Sequence, residues 1–114
     1  GLSQIVASSD SVDAFNPKCL AATMGSFLRV EVVYTDLHLV AQDRTVYGAY
    51  LEGESVHGLT PSVKSMLLIG SESHGIRESA EKLVTHPITT PGKGKAESLN
   101  AGMATAILLD NLLR

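Results

Sequence analysis

The sequence predicts an α/β domain built on a sheet that is at least partly parallel. Three observations carry that expectation. Strand-like and helix-like stretches alternate along the chain. The run "SMLLIG" at 65–70 is continuously apolar and is stopped by a glycine, as a central buried strand is. Three strand-like stretches also run into loops of glycine and polar residues, "LEGE" at 51–54, "GSESHG" at 70–75 and "TPGKGKAESLN" at 90–100. The length of 114 residues gives room for one domain, 1–114, with a single core.

The elements follow in order. "SQIVAS" (3–8) is a short apolar stretch ended by Ser-Ser-Asp, a buried strand. "NPKCLAATMGSFLR" opens a helix with Asn16 as N-cap and Pro17 at the first helical position, where its missing N–H costs nothing; Gly25 ends it. "RVEVVYT" (29–35) alternates and is β-branched, hence a strand. "DLHLVAQD" (36–43) is a short helix capped by Asp36. "TVYGAYL" (45–51) is a strand leading into the turn-rich "EGESVHGLTPS". After the central strand, "IRESAEKL" (76–83) is a solvated helix and "VTHPIT" (84–89) another short strand. A last helix runs from Ser98, its cap, to Leu112, with Leu99, Met103, Ile107, Leu108 and Leu112 as an apolar stripe. Its small residues, Ala101, Gly102, Ala104 and Ala106, allow another backbone to pack close, and so apolar a helix is expected to be buried.

Composition narrows the function. Apolar residues make up 44% but aromatics only 4%, so the core is aliphatic, and no apolar run reaches the roughly 18 residues of a membrane span. A single cysteine, Cys19, precludes an internal disulfide and fits a reducing compartment, the cytoplasm; it reads as a structural thiol. The four histidines have no ligand-like spacing, so no metal site is expected. A net charge of −3 argues against strong nucleic-acid binding by this chain by itself.

In open α/β sheets ligands bind outside the carboxyl ends of strands, and glycines there let main-chain groups approach closely. The three loops would form one such rim. Ser98 presents the unpaired N–H groups of the last helix, so that helix can hold Leu99 and Asn100 while the preceding loop closes on a ligand; capping alone is the simpler role for Ser-Leu-Asn. Glu72 reads either as a site carboxylate or as an acidic turn residue near a helix N-terminus. Ser73 followed by Gly75 suggests a serine nucleophile elbow, but Ser71 stands where that motif needs glycine and no acid-then-histidine pair follows in order. "PGKGKAES" lacks phosphate-loop spacing, so Lys93 and Lys95 read as solvated charges, with RNA phosphate contact the lesser role.

Together the loops resemble the SpoU/TrmH family of the SPOUT superfamily, RNA ribose 2′-O-methyltransferases that use S-adenosyl-L-methionine. "LLIGSESHGI" resembles the family's second motif, an apolar strand followed by Gly-x-Glu-x-x-Gly, and "TPGKGKAESLNAGMATAILL" its third. "NPKCLAATMGSFLRVEV" is similar to the stretch between the first and second motifs, so the resemblance covers essentially the whole chain. It implies a trefoil-knotted domain with a mostly parallel sheet and a C-terminal knot helix, an exception to the rule against knots. It implies a homodimer, a tRNA or rRNA substrate gripped partly by regions outside this core, and no metal. The methyl donor would be held at Leu51, Gly53, Ile69, Gly70, Thr90 and Leu99, with Glu72, Ser98 and Asn100 in the active site. Thr90 departs from the family, which has a bulky aliphatic residue there.

Methyl transfer to a ribose hydroxyl requires removal of its proton or stabilisation of the developing oxyanion, with the oxygen in line with the methyl group. The family's first motif, roughly Asn-x-Gly-x-x-x-Arg, carries an arginine for that work. No stretch here matches it, so the chain is expected to be a fragment lacking the N-terminal strand and helix together with that arginine; Arg29 and Arg77 do not match the motif and read as surface or ion-pair residues. The alternatives are a non-catalytic knotted donor-binding or dimerisation module, a SPOUT enzyme acting on a base (against which Ser-Leu-Asn speaks) and the serine hydrolase.

Overall fold

A computed structural model describes residues 2, 4–11, 16–18, 29–92 and 100–113, in two compact units, 1–40 and 41–114. In the first unit β1 (Gln4–Ala7) pairs in parallel with β2 (Glu31–Tyr34), Gln4 opposite Glu31 and Ala7 opposite Tyr34. The Gln4 amide also donates to the Glu31 carboxylate at 2.8 Å, closing one end of the pair. Asn16 Oδ1 accepts the Lys18 N–H at 3.0 Å, the capping bond expected before Pro17. The rest of that helix, with Gly25 and Cys19, lies outside the described residues. α1 (Leu37–Ala41) spans the boundary between the units and is capped as expected, Asp36 Oδ1 accepting the His38 N–H at 2.9 Å. That backbone bond, followed by the one to the His38 ring, lowers the Asp36 pKa.

The second unit is a three-stranded, all-parallel sheet in the order β4-β3-β5. β3 (Thr45–Ser55) lies between β4 (Ser65–Leu68) and β5 (His86–Thr89). α2 (Glu78–Glu81) sits in the crossover from β4 to β5 that a parallel pair requires, and α3 (Ala101–Leu112) closes the chain. A strand flanked on both edges has little room for water, and Val46, Tyr47 and Gly48 are buried in succession. Tyr47, Val56, Ile88 and Leu108 form the core cluster, with Ala49, Leu59, Leu67, Ile69 and Leu112 packed against it. The Tyr47 hydroxyl accepts the Ser62 N–H at 3.2 Å, so its polar end is satisfied where its ring is buried. Thr85 both donates to the Val46 carbonyl and accepts the Val46 N–H, extending the pairing of β3 beyond the end of β5.

Four sequence expectations change here. The run at 65–70, expected as the central strand, forms β4 at one edge of this sheet, because β3 takes a partner on each side and so holds the centre. β3 continues to Ser55 rather than stopping at Leu51, because Glu54 and Ser55 find β5 partners despite their weak strand preference. α3 begins at Ala101 with Asn100, not Ser98, as its cap; Ser98 lies outside the described residues. Within this chain α3 is only partly buried: Leu108 is fully covered and Leu112 packs on the core, but Met103 is 61% exposed. A helix apolar on several faces can turn only one stripe to a single core, and the stripe chosen runs through Leu108 and Leu112.

Leu108→Ala and Ile88→Ala should each cost about 2–5 kcal/mol in urea denaturation, since both side chains are almost fully enclosed. Val63→Ala, at a fully exposed position, should stay within about 0.5 kcal/mol of the parent.

Candidate functional site

Because β3, β4 and β5 run in the same direction, their carboxyl ends share one edge of the sheet. Leu51 and Gly53 lie in the last part of β3, Ile69 and Gly70 directly after β4, and Thr90 directly after β5. The parallel topology therefore gathers these five predicted residues from three separate stretches. Ile69 is half-buried against the core, while Leu51 is 70% exposed, a large apolar side chain held out at that edge.

The loop after β4 is closed on itself. Ser71 and Gly75 exchange both backbone hydrogen bonds, at 3.1 and 2.9 Å, and Gly75 takes φ +68°, which favours glycine. The Ser71 hydroxyl accepts the His74 N–H at 3.1 Å, and the Ser73 hydroxyl pairs with His74 Nδ1 at 2.8 Å. At the base of this loop two backbones touch: a Cβ on Gly70 would lie 2.0 Å from the Gly75 carbonyl carbon and 2.2 Å from the Ile76 nitrogen. No side chain fits there. The glycine is required by the return of the chain past its own start.

Glu72 stands at the tip of this loop and accepts a 3.0 Å hydrogen bond from Asn100 Nδ2. The same Asn100 side chain caps α3, its Oδ1 accepting the N–H groups of Gly102 at 2.9 Å and Met103 at 3.4 Å. One amide thus uses its oxygen on the helix and its nitrogen on the loop, and joins residues 28 apart in sequence. Glu72 is a buttress for that loop. Ser98 and Leu99, the other two predicted residues, lie outside the described residues, as do Lys93 and Lys95.

An open depression of about 530 Å³ adjoins this edge at Tyr50 and Glu52 and is further lined by Glu78, Glu81, Lys82, Val84 and Pro87. It contains none of the predicted site residues. Burial, and then the charge of Glu81, raise the Tyr50 pKa, so the phenol stays neutral. Three carboxylates against one ammonium make the depression a poor seat for a nucleic-acid backbone, and the strand edge is the better candidate site. Sequence reading missed Thr89, whose hydroxyl donates to the Leu51 carbonyl at 3.1 Å. The available signal was Gly53, an isolated glycine within a strand, which marks a bulge. Among the described residues there is no cluster of metal-ligating side chains and no helix long and apolar enough to cross a membrane.

Two substitutions separate the two jobs of Asn100. Asn100→Ala should cost about 0.5–2 kcal/mol through the lost cap. Asn100→Asp keeps an acceptor for α3 but sets a second carboxylate against Glu72. Two like charges raise each other's pKa, so the folded state binds more protons than the unfolded chain. The Asp variant should therefore lose stability as pH rises through the carboxylate range and regain it on acidification, as read from denaturation midpoints across pH.

A family model described as the SpoU rRNA Methylase family matches residues 1–110. The 23S rRNA (guanosine(2553)-2′-O)-methyltransferase RlmP of Bacillus subtilis (strain 168) is 32% identical over 118 residues, covering 98% of this chain and 48% of RlmP. Among solved structures, a TrmH-family protein from Porphyromonas gingivalis matches with a TM-score of 0.82 and 33% identity, over 95% of this chain and 47% of that one. An AdoMet-bound rRNA methyltransferase from Sinorhizobium meliloti matches with a TM-score of 0.81 and 26% identity, over 96% of this chain and 44% of that one. The chain spans about half the length of these relatives.

Proposed function

Because the chain belongs to the SpoU/TrmH family of RNA methyltransferases, we propose that it takes part in S-adenosyl-L-methionine-dependent methylation of a ribose 2′-hydroxyl in tRNA or rRNA. The observation that carries this reading is the common carboxyl edge of β3, β4 and β5, with the Asn100–Glu72 bond fastening the loop after β4 to the start of α3. Residues 1–114 act as one SpoU-type domain in the cytoplasm. The domain is of the trefoil-knotted kind, with α3 packing at the knot and at a homodimer interface. Its outward Met103 and Leu113, 61% and 57% exposed, offer a partner an apolar surface.

The residues present fit the donor. Its polar groups need donors and acceptors, and its apolar faces need contact that leaves the sulfonium unobstructed. Gly53, Gly70 and Thr90 bring main-chain groups to the edge, and Leu51 supplies apolar contact; Leu99 is assigned to the donor by the family's third motif. When bound, S-adenosyl-L-methionine supplies an electrophilic methyl group. The family's third motif assigns Ser98 and Asn100 to the active site, and Glu72 keeps Asn100 in place. Removal of the hydroxyl proton, or stabilisation of the developing oxyanion, falls to an arginine of the family's first motif, which no residue of this chain matches. Regions outside this core grip the RNA, which accommodates the net charge of −3.

The missing match to the first motif also favours a second reading, a donor-binding or dimerisation module that does not turn over by itself. Titration calorimetry of the chain with S-adenosyl-L-methionine should give micromolar binding that weakens several-fold in Asn100→Ala. A folded chain that binds no donor would contradict the enzyme reading and the donor-binding form of the module, leaving dimerisation alone. Methyl transfer to RNA, assayed on a chain that binds the donor, then decides between them.

A further inference from the structure

The pairing of β3 with β5 is interrupted at one place. Ala49 lies opposite Ile88, and so does Glu54, which leaves Tyr50–Gly53 inserted between two positions of the ladder. A four-residue insertion forfeits ladder hydrogen bonds and puts its backbone in water; Leu51, Glu52 and Gly53 are all exposed. Left alone, such a segment samples many conformations. Two contacts hold it. Gly53 lies directly on β5, where a Cβ would stand 2.7 Å from the Pro87 carbonyl oxygen and 3.0 Å from the Ile88 nitrogen. The Thr89 hydroxyl donates to the Leu51 carbonyl at 3.1 Å.

Thr89 is well placed for this. Its own carbonyl accepts the Val56 N–H at 3.0 Å, and it pairs with Ser55 just past the insertion. Its backbone is thereby pinned by the far side of the bulge while its side chain reaches back to the middle. A β-branched side chain has few rotamers, so little freedom is lost in making the bond. The bond is exposed, and a solvent-exposed hydrogen bond adds little to global stability. Its effect is local.

We infer that Thr89 is a positioning residue that presets the Tyr50–Gly53 bulge for the methyl donor. The inference rests on the proposed donor site, which includes Leu51 and Gly53. A bulge ordered before binding spares the donor the entropy of ordering it, so the hydroxyl should appear in donor affinity and not in the unfolding midpoint.

The test compares the full chain with Thr89→Val, which keeps the shape but loses the hydroxyl, with Thr89→Ala as a second hydroxyl-free variant and Thr89→Ser as the rescue. S-adenosyl-L-methionine affinity is measured by calorimetry, and amide hydrogen exchange is followed at residues 51–53. The Val and Ala variants should bind the donor about threefold to tenfold more weakly. Their bulge amides should exchange faster by a similar factor while β4 and the rest of β5 keep their protection, and Ser should restore both readouts. A wild type that binds the donor and a Val variant that binds it equally well would overturn the inference alone. A folded wild type that binds no donor, with the bulge still loosened by Val, would overturn the proposed donor site and this inference with it.

Discussion

Pairing on both edges of β3 is the constraint from which the rest of the second unit follows. β3 takes β4 along one edge and β5 along the other, both in the same direction. That arrangement buries Val46, Tyr47 and Gly48 and sets Ile88 against Leu108, which seats α3. It also sends three chain segments out along one edge of the sheet. A single antiparallel neighbour would have sent one of those segments to the opposite edge. The site is therefore a consequence of strand direction before it is a consequence of any side chain.

Side chains then fix what strand direction brings together. Asn100 is suited to its place because an amide carries both an acceptor and donors, and here both are used. Serine at the same position could cap the helix but could not also reach Glu72 with a second donor. The loop it holds is already stiff, closed by the Ser71–Gly75 pair and by the backbone contact at Gly70. This part of the edge presents a surface with few motions left to lose on binding, and the bulge held by Thr89 extends the same character to β3. The acidic depression around Glu52, Glu78 and Glu81 has the wrong charge for RNA.

Much of this was legible in the residues. The continuous apolar run at 65–70 predicted a strand and β4 is there, shorter by two residues, though at the edge of the sheet and not at its centre; Asp36 and Asn16 predicted caps and both make them. Local chemistry decides those features, so local reading finds them. The extension of β3 to Ser55 was hidden because Glu52, Gly53 and Glu54 are poor strand formers, and the pairing of Glu54 and Ser55 depends on β5 more than thirty residues away. The choice of Asn100 over Ser98 as cap was hidden for a related reason: both residue types cap well, and the contact with Glu72 comes from another loop. The face of α3 turned inward could not be read from a helix apolar on several sides. The gathering of Leu51, Gly70 and Thr90 at one edge followed from the parallel topology, whereas their assignment to a methyl donor came from the family motifs.

The most direct test of the account is an NMR titration of the isotopically labelled chain with S-adenosyl-L-methionine, following backbone amides. The account predicts saturable shifts grouped at residues 51–53, 69–70, 90 and 100–102, the carboxyl edge of the sheet and the start of α3. Saturable shifts confined to the far wall of the depression, at Glu78, Glu81 and Lys82, with that edge unmoved, would contradict it.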